Sequence, residues 1–159
     1  MKHLIYILTL TLIGVFCAPF QGKAQLSITS VGLLPGDTSS YGRGLSSDGL
    51  TSVGNSRNGT DSSPYRWTQS GGIVSLGNLP GGTSTTQNDA WAASLDASVI
   101  VGDSRSSNGT EAFRWTSGGG MVGLGSLNGP FNFNSTARGV SDDGTVTVGI
   151  LQVRVWEDL

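Results

Sequence analysis

Cysteine, histidine and lysine are almost missing from this chain. One cysteine, one histidine and two lysines occur in 159 residues, as Cys17, His3, Lys2 and Lys23, and all four precede Ala24. From Gln25 onward the cationic side chains are seven arginines, set against eleven carboxylates, a balance of −4. That stretch therefore has no means of thiolate, imidazole or amine catalysis, no zinc or haem site built on His or Cys, and no disulfide. An acidic chain without lysine also argues against a nucleic-acid partner, whose phosphates demand a basic surface. Sustained helical periodicity is absent as well.

The first residues read as a targeting signal. Lys2 and His3 form a short basic segment, Leu4 to Phe16 is an apolar run, and Gly22 and Ala24 stand three and one residues before a cleavage point ahead of Gln25. Residues 1–24 are thus expected to be a secretory signal peptide, and the protein to be secreted, extracellular or on the cell surface. The apolar run falls short of the roughly 20 residues of a transmembrane helix. No membrane span is expected after signal removal.

What is present is repetition. "SPYRWTQSGGIVSLG" at 63–77 returns as "EAFRWTSGGGMVGLG" at 111–125, an offset of 48. A period of that length signals a repeat architecture. Four candidate strands fit each unit. The first is 42–46, 90–94 and 137–141, followed by a turn carrying Asp48, Asp96 and Asp143. The second contains Val53, Val99 to Gly102 and Val146 to Gly149. The third carries Tyr65 and Trp67, then Phe113 and Trp115; two apart on a strand, the rings of a pair share one face. The fourth follows a Gly-rich turn, at 73–76 and 121–124. "LPGD", "LPGG" and "LNGP" at 34, 79 and 127 link the units, with Pro-Gly suited to a type II turn. Asn58-Gly59 and Asn108-Gly109 suit type I′ hairpin turns, and these asparagines, with Asn134, are also formal glycosylation acceptors.

The expected fold is all-β, a β-propeller-like array of three four-stranded repeats, with an open β-solenoid as the alternative. Units fall at roughly 33–79, 80–127 and 128–159, the last completed by an N-terminal strand at 26–32, which aligns with the fourth strand at an offset of 45. Propellers typically have four to eight blades. Three units therefore call for a dimer completing six blades, a longer parent sequence, or an open stack.

With these motifs laid out, the sequence resembles the HAF family of extracellular bacterial repeat proteins. The resemblance rests on "EAFRWTSGGGMVGLGSLNG" at 111–129 and "RGVSDDGTVTVG" at 138–149. It implies an exported, propeller-like repeat protein and supplies no catalytic residue. Where the family pattern has His, this chain has Glu111 or Ser63.

One position breaks the repeat. Arg43, Trp91 and Arg138 share a phase in the first strand. Lining a channel mouth, they would suit an anionic or carbohydrate-like ligand through charge and stacking; packing on neighbouring units is the alternative. Tyr65, Trp67, Phe113, Trp115 and Trp156 are expected as filling between units. The carboxylates Asp48, Asp96, Asp142 and Asp143 occupy turns, where Asp serves the backbone. No metal or cofactor is required, calcium being the best-matched ion for the oxygen ligands available. The functional expectation is a non-catalytic binding module, with a glycan or other surface partner. A hydrolytic propeller using turn aspartates is the alternative.

Overall fold

Short apolar groups separated by Ser-Asp-Gly and Pro-Gly sequences become ten strands in the computed structural model, which describes residues 28–82, 87–125 and 133–152. The strands are β1 (Ser39–Leu45), β2 (Thr51–Arg57), β3 (Ser62–Thr68), β4 (Gly72–Ser75), β5 (Asp89–Ala93), β6 (Val99–Ser106), β7 (Gly109–Thr116), β8 (Gly120–Gly123), β9 (Phe133–Val140) and β10 (Thr147–Leu151). No helix occurs among the described residues. The protein is all-β.

Strands β1–β2–β3–β4 form one antiparallel sheet. In the second sheet β5–β6–β7–β8 repeat that meander, and β9 with β10 is joined through a short parallel pairing of Gly109 and Thr110 with Phe133 and Asn134. Neither sheet closes into a barrel. Three sequence units are thereby visible as β1–β4, β5–β8 and β9–β10.

The core lies between units. Ile100 and Phe113 face the first unit, where they meet Val53, Leu76 and Leu79; Val99, Val101 and Ala112 face the third, where they meet Ala137. Alternate residues of β6 thus point to opposite, equally buried sides. This is why "VIV" is continuous there, whereas β2 carries Ser52 beside Val53. Polar ties cross the same interfaces. Asn88 donates to the Ser62 carbonyl at 3.0 Å, and Ser135 accepts from the Ala112 amide at 2.9 Å.

Tyr65 and Phe113 are fully buried. Each lies directly across from a glycine, Gly54 and Gly102, whose missing side chain makes room for the ring. Trp67 and Trp115 are half-buried, Trp115 packing on the core. Arg66 and Arg114 alternate to the other side of β3 and β7.

The turn after each first strand is the same device three times. Asp48, Asp96 and Asp143 accept from the backbone amides of Leu50, Ser98 and Thr145 at 2.9, 2.9 and 3.0 Å. Ser46, Ser94 and Ser141 close the loop by accepting from Thr51, Val99 and Val146. The turns also touch one another: the Asp48 amide donates to the Leu95 carbonyl, the Leu95 amide to the Asp142 carbonyl, and the Ser47 hydroxyl to the Asp142 carboxylate at 2.7 Å. The ends of all three first strands therefore converge.

The Leu34–Asp37 and Leu79–Gly82 links form the expected turns, with Gly36 at φ 87° and Gly81 at φ 72°. The type I′ hairpins do not form. Asn58 and Asn108 both avoid positive φ, which a type I′ turn needs at both centres; Gly59 and Gly109 take it instead. Residues 28–34 make no strand ladder. They do repeat a contact, since Leu34 donates to Ser56 as Leu79 does to Ser104. The signal segment 1–24, the link at 127–130 and Trp156 lie outside the described residues.

Candidate functional site

Each first strand is interrupted by a β-bulge at one residue. Pairing skips from Gly42 to Gly44, from Ala90 to Ala92, and from Ala137 to Gly139. The residues left unpaired are Arg43, Trp91 and Arg138. A bulge re-aims its side chain away from the regular alternation, and here the three re-aimed side chains meet. The Arg138 guanidinium carbon stands 3.8 Å from the Trp91 ring centroid, and that of Arg43 stands 4.9 Å from it. The units come close enough for this because Gly44 lacks a Cβ; one would lie 2.5 Å from the Trp91 carbonyl oxygen.

Behind Trp91 are two carboxylates that opposite register places together, Asp89 on β5 and Asp103 on β6. The indole Nε1 donates to Asp103 Oδ1 at 2.5 Å. Arg43 and Arg57 reach Asp89 Oδ1 at 3.7 and 3.6 Å. Tyr41 completes the group, its ring lying 5.7 Å from the Arg43 guanidinium and 5.5 Å from that of Arg57. Arg138 makes no salt bridge among the described residues.

Burial raises both carboxylate pKa values. Asp103 is pushed up to about 6 by desolvation, reinforced by the charge of Asp89 and opposed by the indole hydrogen bond, Arg138 and Arg43. Asp89 is raised by desolvation and held back by Arg43, Arg57 and Arg138. The result is a cluster of three cations over two buried carboxylates, one of which changes charge near neutral pH. Its exposed part consists of Arg43, Arg138 and Tyr41, backed by the half-buried Trp91.

Arg43, Trp91 and Arg138, which share a phase in the sequence, come into contact by packing across units. Arginines cover the Trp91 ring from β1 and β9, so its face is not presented for sugar stacking; the guanidinium edges are what the surface offers. Asp89 and Asp103 escaped the sequence reading because they do not repeat: their equivalents are Tyr41 and Asn55 in the first unit and Thr136 and Ile150 in the third. A usable signal existed, since Asp is depleted in strands.

The turn aspartates have a different character. Hydrogen bonds from Ser98 lower the pKa of Asp96, and those from Ser141 and Thr145 lower that of Asp143 to about 2. Asp142 accepts from Ser47. No group of three or more His, Cys, Asp or Glu side chains able to hold a metal occurs among the described residues. An apolar groove of about 500 Å³ lies between Leu124 and the β9–β10 ladder, with Val148 and Ile150 in its lining, and shares no residue with the arginine cluster.

Comparison of the chain with protein-family models, with curated proteins and with solved structures finds no match.

Proposed function

We propose that this is an exported, non-catalytic binding module whose arginine-rich face engages an anionic ligand, the class being saccharides that carry carboxylate or sulfate groups. The observation that carries the reading is the convergence of Arg43 and Arg138 on Trp91 from equivalent bulges. Two guanidiniums fixed against a ring have already lost much of their rotational freedom, so less entropy is spent when they close on an anion. Their fork of donors matches a planar carboxylate or a sulfate. Export rests on the N-terminal signal, and the units are read as blades of a propeller-like array, in keeping with the HAF-like motifs.

A hydrolytic reading would need a carboxylate able to give up a proton near neutral pH. Asp96 and Asp143 have their pKa values lowered, and Asp103, though raised to about 6, is buried beneath Trp91 with its Oδ1 accepting from the indole. Binding is therefore preferred over hydrolysis. The test is a panel of acidic and neutral polysaccharides incubated with the purified protein. Saturable retention on acidic members without released sugar supports the module. Reducing ends that accumulate with time would make the protein an enzyme and overturn the reading.

A further inference from the structure

We infer that the exposed face of β10 docks onto the exposed face of β1 in a second copy of this chain, head to tail. The evidence is one repeat position followed through three units. Val53, Val101 and Val148 are equivalent, lying opposite Gly44, Ala92 and Gly139. Val53 and Val101 are completely buried, because the second unit covers the first and the third covers the second. Val148 is 60 % exposed, and Val146 and Ile150, two residues to either side, share its face and its exposure. Three β-branched apolar side chains in alternation are the inward face of a strand, here facing water.

The opposite end of the array presents the complementary half. Leu45 is equivalent to Ala93 and Val140. Ala93 belongs to the core between the first and second units, whereas Leu45 is 61 % exposed. Among the described residues the same front-to-back interface thus occurs twice, and one front and one back face solvent. A second copy carries both missing halves in matching register, which continues an interface the sequence already encodes. Such a contact is heterologous, closing as a ring when its rotation permits.

Sedimentation velocity of the exported protein tests this, with the single variants Val148→Glu and Leu45→Glu. Both positions are exposed, so circular dichroism spectra should stay near wild type, while melting temperatures fall by no more than the stability that assembly contributes. The wild type is expected at twice the chain mass or more, and each variant at the mass of one chain. Mixing the two variants should restore a complex, because one retains an intact front and the other an intact back. A wild type that stays at one chain mass at about 100 µM, well above the Kd of a stable assembly, overturns the inference. So does a variant that associates undiminished, or a mixture that remains dissociated.

Discussion

Arg138 on β9 holds its guanidinium 3.8 Å from the ring centre of Trp91 on β5, joining two units through a cation and an indole. A contact of this kind contributes about 0.5–1 kcal/mol at an exposed site. Arg138→Gln should therefore lower stability by no more than about 1 kcal/mol in urea melts. If Arg138 were structurally essential, the loss would be several-fold larger. Trp91→Ala removes the ring, the indole hydrogen bond and both arginine contacts together, and should cost about 2–4 kcal/mol.

Acidity should act on the same cluster with a defined sign. Asp103 titrates at about 6 in the fold, against its ordinary value of 3.8. The folded protein thus holds this proton more tightly than the unfolded chain, so the contribution of Asp103 to stability is fully present below about pH 4 and lost as pH rises through about 6. The full difference is up to about 3 kcal/mol. Asp89, also raised, adds in the same direction. Urea midpoints should fall between pH 4.5 and pH 7, and Asp103→Asn should remove most of that fall. A wild-type midpoint that climbs across this range would contradict the assignment.

Binding should respond in parallel. Protonating Asp103 removes a negative charge from beneath Arg43 and Arg138. Affinity for a sulfated saccharide, whose own charge is constant over this range, should rise several-fold from pH 7 to pH 5.5. The Asp103→Asn variant should show a flat profile at the higher level.

How far this was readable from the sequence depends on whether a feature repeats. Arg43, Trp91 and Arg138 were legible because successive offsets of 48 and 47 align them, and Asp48, Asp96 and Asp143 because Ser-x-Asp recurs before each turn. Asp89 and Asp103 were not, since each occurs at its phase once. The covered face of Trp91 was also hidden: a shared phase locates a bulge, but it does not say which neighbours lean over it. The hairpin centres failed for a local reason. In the second unit Ser106 pairs with Gly109, so the two-residue loop is Ser107-Asn108 and the glycine has moved onto the strand.

Glycine facing an aromatic ring gives a sharper packing prediction. A Cβ on Gly102 would lie 2.0 Å from the Asp89 carbonyl oxygen and 2.8 Å from the Phe113 ring, whereas one on Gly118 meets nothing within 4 Å. Gly102→Ala should cost about 1–3 kcal/mol through forced rearrangement of a fully packed site. Gly118→Ala should change stability by less than about 0.5 kcal/mol. Thermal melts of the two variants compare these directly.

Isothermal titration of the protein with a galacturonic acid oligomer, alongside the Arg43→Gln/Arg138→Gln double variant, bears most directly on the function. The account predicts saturable binding that weakens as salt is added and falls at least tenfold in a double variant with an unchanged circular dichroism spectrum. No heat of binding to the native protein, or equal affinity in the folded variant, would contradict it.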